Sequence, residues 1–300
     1  MTSDRLQTAY DHCATMARNH YENFPVASRL LPKRIRPAVT VIYAFARTAD
    51  DFADEGDLDR EQRLARLNQY AEYLQQLQAG KTPDDPVFIA LQDTLSKHQL
   101  PIAPFERLLQ AFKQDVDKKR YADFGEVMDY CRCSANPVGE LLLHLNLAAD
   151  EINLGYSNAI CSALQLINFL QDIYQDYSEH NRIYIPQDDM QRYGVTEKQI
   201  ANRTTDFAMQ SLMRQQIERA RKLLESGAPL GMRLGGRFGF ELRLIIAGGA
   251  RILKHLYDNR DDAFARPRLT GRDGMVMFAQ AALPRIFGRI QRPRKSGCGI

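Results

Sequence analysis

The 300-residue chain reads as an all-α, single-domain helical bundle around a central apolar cavity, and three features of the sequence predict it. Apolar residues recur at three- and four-residue spacing along almost the whole length, the period of helices with one buried face. Strand-like alternation bounded by turn residues is hard to find. Breaks cluster at Gly80 to Pro86, Pro101 to Pro104, Arg182 to Gly194 and Gly227 to Gly236, leaving long uninterrupted segments between them.

The elements follow in order. A helix begins after Pro37, a residue suited to a first helical turn, and carries Val41, Ile42, Phe45 and Phe52 on its apolar side. Further amphipathic stretches cover roughly residues 60–79, 86–98, 104–117, 123–132, 136–149 and 157–178, then about 205–226, 237–258 and 272–283. The uncharged run from Ile152 to Gln171 is 20 residues, long enough to cross a bilayer. It also carries Asn153, Ser157, Asn158, Ser162, Gln165, Asn168 and Gln171, whose desolvation in lipid is costly, so it reads as an interior helix.

Hydrophobic residues at 44% and charged residues at 26% are the balance of a soluble globular chain, long enough to bury a core without disulfide or metal staples. Forty Lys and Arg against 37 Asp and Glu is too even for a dedicated nucleic-acid binder, so no nucleic-acid partner is expected. The five cysteines are scattered and form no CxxC pair, which fits a reducing, cytoplasmic setting, and no apolar secretory segment opens the sequence. With no repeat or polar linker in sight, residues 1–265 read as one catalytic domain and 266–300 as a basic C-terminal helix and tail. That last segment holds eight Arg and Lys against the single Asp273, a net of +7. Its interspersed apolar residues suit peripheral contact with an anionic inner-membrane surface, while a solvated terminus is the plainer alternative.

Two acidic segments carry the chemistry. In Tyr43-Ala-Phe-Ala-Arg47-Thr-Ala-Asp50-Asp51-Phe-Ala-Asp54-Glu55, Asp50 and Asp54 share a helix face one turn apart, with Arg47 on the same face. Such a patch also occurs on plain solvated surfaces. In Gln165-Leu-Ile-Asn168-Phe-Leu-Gln171-Asp172-Ile-Tyr-Gln-Asp176, the residues Gln165, Asn168, Asp172 and Asp176 form one polar stripe among Leu164, Ile167, Phe169, Leu170 and Ile173. A helix apolar on its other faces is buried, so these carboxylates need a counter-charge. Two acidic pairs and an amide oxygen suit Mg²⁺, a hard cation that keeps sites for a bridging phosphate; a buried polar network between helices is the other reading. Mg²⁺ at the mouth of an apolar cavity suits a long hydrocarbon substrate bearing a diphosphate, whose departure leaves a carbocation in a dry pocket.

Over roughly residues 10–265 the chain resembles the squalene/phytoene synthase family, the head-to-head isoprenyl diphosphate synthases. The resemblance rests on ordered signatures: His20-Tyr-Glu-Asn23-Phe24-Pro-Val-Ala-Ser28-Arg-Leu-Leu-Pro32, Tyr43 through Asp54, Tyr130-Cys-Arg-Cys-Ser-Ala-Asn-Pro-Val-Gly139, Gln165 through Asp176, and Arg182-Ile-Tyr184-Ile-Pro186. It implies an isoprenoid-synthase-type bundle. Glu22 to Val26, Ala46 to Asp51 and Ser134 to Gly139 are similar to the branch of bacterial hopanoid pathways that makes hydroxysqualene. Gln171, where the wider family often has arginine, and Tyr21-Glu-Asn-Phe24 point the same way, since both remove diphosphate donors.

The resemblance implies Mg²⁺ ligation by Asp50, Asp54, Asn168, Asp172 and Asp176, with Asp51 a weaker ligand. It implies substrate and diphosphate contacts for His20, Asn23, Tyr43, Arg47 and Gln165, with Arg182 and Tyr184 closing over the site. Tyr130 falls where the family has a tyrosine near the reacting carbons, able to stabilise a cation or move a proton; a packed core tyrosine is the alternative. Asn136 reads as the cap of a helix opening at Pro137, or as a holder of water. The implied reaction is Mg²⁺-dependent conversion of presqualene diphosphate and water to hydroxysqualene and diphosphate. Condensation of two prenyl diphosphates to squalene, phytoene or presqualene diphosphate is the alternative reaction, and a non-catalytic scaffold the alternative class.

Overall fold

The computed structural model describes residues 3–19, 31–259 and 261–283. Among them every regular element is a helix, apart from one isolated parallel bridge between Arg120 and Ile183. The chain divides into two compact units, one made of residues 1–119 and 125–154, the other of 120–124 and 155–300.

The first unit holds α1 (Ser3–Asn19), α2 (Arg36–Asp54), α3 (Arg60–Gln78), α4 (Pro86–His98), α5 (Ala103–Asp117), α6 (Phe124–Ser134), α7 (Asn136–Leu145) and the first turn of α8 (Glu151–Gln171). α2 is its centre and packs against α1, α3, α4 and α5. Its buried residues Ala38, Val41, Ile42, Phe45, Ala49 and Ala53 recur at helical spacing, so one element can face several neighbours. Phe45, fully buried, meets Tyr70 of α3, Phe88 of α4 and Phe105 of α5 with ring centroids 5.7, 5.8 and 5.1 Å away. The tilted and edge-on geometries are those aromatic quadrupoles favour. Helix starts are chemically marked. Asp59 forms a capping box with Gln62 ahead of α3, and the Asp85 side chain accepts from the Val87 and Phe88 amides ahead of α4.

The second unit continues α8 and adds α9 (Ile173–His180), α10 (Gln187–Tyr193), α11 (Glu197–Ala201), α12 (Phe207–Gly227), α13 (Leu230–Arg233), α14 (Gly236–Asp258) and α15 (Gly271–Ala282). α14 packs on α12, α13 and α15. Close helix approach depends on two glycines. A Cβ at Gly227 of α12 would lie 2.6 Å from the Tyr156 carbonyl oxygen and from Ile160 of α8, which no side chain tolerates. At Gly249 of α14 it would meet Leu164 and Ile167 of α8 at 3.1 and 3.3 Å.

Several expectations need correction. The stretch expected as one helix over 157–178 starts earlier, at Glu151, and is broken at Asp172, whose φ of −110° and ψ of 15° leave helical values. The expected loop over 182–194 contains α10, and α1, α11 and α13 have no counterpart in the sequence reading. α7 ends at Leu145 instead of 149. It begins at Asn136 itself, with Ala135 as its N-cap and no side-chain capping bond, so Asn136 is not the cap expected of it. No described helix is long and apolar enough to cross a membrane. Burial pushes the Cys13 thiol up to about 12, which leaves it an inert core residue.

Candidate active site

In the first unit the chemistry-bearing residues line the C-terminal half of α2. Tyr43, Arg47, Asp50, Asp51 and Asp54 are all half-buried, and Asp54 is the last residue of the helix. Four carboxylates, counting Glu55, therefore crowd the negative end of the helix dipole, where anions are unfavourable. Arg47 offsets part of this charge. Its guanidinium lies 2.7 Å from Asp51, 2.8 Å from Glu55 and 3.5 Å from Asp50. Burial alone would lower the Arg47 pKa, but Asp51, Asp50 and Glu55 together raise it, so the side chain stays a cation. Arg63 of α3 donates to the Gly56, Leu58 and Glu55 carbonyls at 2.8, 3.0 and 3.2 Å and satisfies backbone acceptors past the helix end.

Tyr130 is buried on α6, and its hydroxyl donates to a carboxylate oxygen of Asp115 on α5 at 2.8 Å. Asp115 is a site-type residue that the sequence reading passed over. The signal was available, because Asp115 continues the buried stripe of Leu108 and Ala111, where a carboxylate must find a polar partner.

In the second unit Gln165 and Asn168 on α8, Asp172 at the break and Asp176 on α9 are half-buried, beside the buried Leu166, Ile167, Phe169, Leu170 and Ile173. Arg266 forms an ion pair with Asp172, Nη2 donating to one carboxylate oxygen at 3.1 Å and Nε lying 2.5 Å from the other. The sequence reading had assigned Arg266 to the basic tail. Next to it, the Gln171 side-chain amide donates to the Pro267 carbonyl at 2.7 Å and ties the segment carrying Arg266 to the end of α8. Arg182 is buried, and its backbone amide donates to the Asp176 carbonyl at 2.9 Å, so the Arg-x-Tyr segment is tied to the second acidic cluster. Tyr184 is buried in a stack between Phe169 (centroids 3.7 Å, planes 7° apart) and Tyr121 (5.4 Å). Arg120 helps hold this segment through bonds to the Glu197 carboxylate and to Asn181.

His20 and Asn23 lie outside the described residues. Among the described residues no three His, Cys, Asp or Glu side chains converge into a ready-made metal cage. The donor set nevertheless fits a hard divalent cation. Every ligand expected from the resemblance presents oxygen, and guanidinium groups already meet Asp50 and Asp172, so both clusters sit beside positive charge. A cavity of about 760 Å³ lies between α12 and α14 and is lined by Ile217, Leu224, Ile246, Leu253, Arg221 and Glu225 among others. No residue singled out from the sequence lines it, and its Arg221 is paired with Glu218 at 2.6 Å, so cavity size does not mark the chemistry here.

Comparison with known proteins gives the family of the chain. The profile of the squalene/phytoene synthase family matches residues 17–273. The hydroxysqualene synthase of Rhodopseudomonas palustris is 35% identical over 83% of this chain and 83% of its own length. That of Sinorhizobium fredii is 31% identical over 91% and 93%. The crystal structure of squalene synthase HpnC from Alicyclobacillus acidocaldarius superposes with a TM-score of 0.80 at 34% identity, over 87% of this chain and 97% of that one.

Proposed function

From the premise that the chain belongs to the squalene/phytoene synthase family, an isoprenoid synthase family acting on prenyl diphosphates, we propose that it converts presqualene diphosphate and water to hydroxysqualene and diphosphate with Mg²⁺. The observation that carries the diphosphate chemistry is the pairing of each acidic cluster with an arginine, Arg47 at Asp50 and Asp51, and Arg266 at Asp172. A site meant only to attract cations has no use for guanidinium groups. One meant to take cations together with a diphosphate uses both signs of charge. The choice of product is supported by similarity to the relatives named hydroxysqualene synthase, at 31–41% identity.

In this reading Asp50 and Asp54 would hold Mg²⁺ at the first cluster, and Asn168, Asp172 and Asp176 would hold it at the second. Bound there, Mg²⁺ would supply positive charge that favours departure of the diphosphate. Arg47 and Arg266 each offer a guanidinium to diphosphate oxygens beside their own cluster, and Gln171 steadies Arg266 by bonding the Pro267 carbonyl. Tyr130 stabilises the carbocation with its ring. Its O–H donates to Asp115, which fixes the orientation of the ring. Water oxygen forms the new bond to carbon and loses a proton, so neither oxidant nor reductant is needed. We place the reaction in hopanoid biosynthesis, in the cytoplasm and at the inner membrane surface.

Incubation with presqualene diphosphate in ¹⁸O-water is the test. One ¹⁸O in hydroxysqualene, dependent on Mg²⁺ and indifferent to NADPH, is the expected result. Squalene appearing only with NADPH, from presqualene diphosphate or from farnesyl diphosphate alone, would favour the second reading. That reading has its own support, since the superposing structure from Alicyclobacillus acidocaldarius is named a squalene synthase.

A further inference from the structure

Helix α15 is built with its polarity reversed relative to an ordinary surface helix. Its only carboxylate, Asp273, is 1% exposed and points inward, while Met275 and Phe278 are 69% and 59% exposed. Leu283, just past the helix end, is 51% exposed. Met275, Phe278, Ala279 and Ala282 fall at offsets of 0, 3, 4 and 7, which places them on one outward stripe; all four are exposed.

The inward face is locked in that orientation. The Asp273 carboxylate accepts from the Thr270 amide and hydroxyl at 2.8 Å each, from Arg251 Nε of α14 at 2.7 Å, and meets His255 Nε2 at 3.1 Å. Thr270 completes a capping box with Asp273, and Arg243 Nε donates to the Ala281 carbonyl at 2.7 Å near the other end. The helix is thus pinned at both ends by polar bonds to α14. Rotating it to bury Phe278 would carry Asp273 away from Arg251 and His255 and leave the mostly buried Arg251 guanidinium without its carboxylate.

The charge around the stripe selects its occupant. Arg268 and Arg272 are exposed at the leading end of the helix. Beyond Asp273 the sequence holds Arg285, Arg289, Arg292, Arg294 and Lys295 and no acidic residue. A second copy of the chain would bring the same cations against each other. An apolar stripe that begins beside two exposed cations, continues in sequence into a basic segment and carries no outward anion matches a bilayer with anionic headgroups, the apolar side chains entering the acyl boundary and the cations meeting the headgroups.

We propose that the outward face of α15 is a membrane-docking surface for anionic phospholipid, with Met275, Phe278 and Leu283 as its inserted residues. This goes beyond the catalytic reading and does not depend on it, because vesicle binding needs no turnover.

Flotation with vesicles of phosphatidylcholine alone, and with vesicles enriched in phosphatidylglycerol, tests it on the full chain. Wild-type protein should float with the phosphatidylglycerol vesicles, less so as salt rises. Met275→Glu with Phe278→Glu should weaken that binding by at least about tenfold, with circular dichroism and turnover of detergent-solubilised substrate unchanged. Arg268→Gln with Arg272→Gln, which leaves the apolar stripe intact, should weaken it by roughly fivefold per charge. Equal binding to both vesicle types would overturn the proposal, as would wild-type binding by the Met275/Phe278 double variant. A chain ending at Leu283 separates the remaining case: if truncation alone abolishes flotation and the double variant floats normally, the tail binds lipid and α15 does not. Sedimentation showing a dimer that the double variant dissolves, with no flotation, would assign the face to a second copy.

Discussion

The two acidic clusters share a chemistry and differ in how their charge is held. At the end of α2 the counter-ion is local: Arg47 sits three residues before Asp50 and four before Asp51 on an unbroken helix. At the junction of α8 and α9 the helix is broken at Asp172, and the counter-ion Arg266 comes from 94 residues further along the chain. A local pair follows from helical spacing alone, whereas a distant one exists only when the fold delivers it. The first cluster should therefore keep its charge pattern wherever α2 is helical. The second depends on the segment at residues 266–267 being held in place.

The largest expected effect tests whether the clusters are equals. Asp50→Asn and Asp172→Asn should each lower turnover by about a thousandfold or more, the scale of losing a metal-bridging charge in a transition state. Circular dichroism should remain that of the wild type. A thousandfold loss in one and none in the other would break the symmetry between them and reduce the site to a single cluster.

Next comes the scaffold of the first cluster. Phe45→Ala removes the ring that α3, α4 and α5 share and should cost about 3–5 kcal/mol in urea unfolding. A cost below about 1 kcal/mol would show that the aromatic cluster does not set the position of α2.

Ligand binding should then report on each cluster. Mg²⁺ with inorganic diphosphate should raise the wild-type Tm by about 5 °C or more at saturating concentrations, and EDTA should remove the gain. Asp50→Asn and Asp172→Asn should each abolish most of it. A gain surviving in either variant would mean that one cluster binds the pair alone.

The smallest effect addresses the distant counter-ion. Gln171→Ala deletes the bond to the Pro267 carbonyl and should lower kcat/KM by about fivefold, the worth of one such hydrogen bond. Arg266→Ala should cost more, because it removes the charge itself. If Gln171→Ala is silent and Arg266→Ala is not, the segment is held by other contacts.

Both clusters were legible as stripes because carboxylates at offsets of three and four need no knowledge of the fold. The partners of Tyr130 and Asp172 were less so. Asp115 showed itself only as a carboxylate on a buried face, with nothing to tell which hydroxyl would meet it. Arg266 read as one more tail cation, since nothing near it in sequence distinguishes it from Arg268 or Arg272. The division into two units left no compositional trace, because the chain passes between them at residues 119–120, at the start of α6 and within α8, with no polar linker at any of the three.

By itself, then, the sequence determined the all-helical class, most helix boundaries and the two oxygen-rich stripes. Each of these follows from short-range periodicity, capping chemistry and the like-charge cost of neighbouring carboxylates. Tertiary structure alone decided where α8 breaks, which arginine meets Asp172, that Asp115 receives the Tyr130 hydroxyl, and that α15 turns Asp273 inward and Phe278 out. In the case of α15 the apolar period is the same whichever way the helix faces. The bonds from Arg251 and His255 of α14 to a single buried carboxylate choose the side that remains exposed.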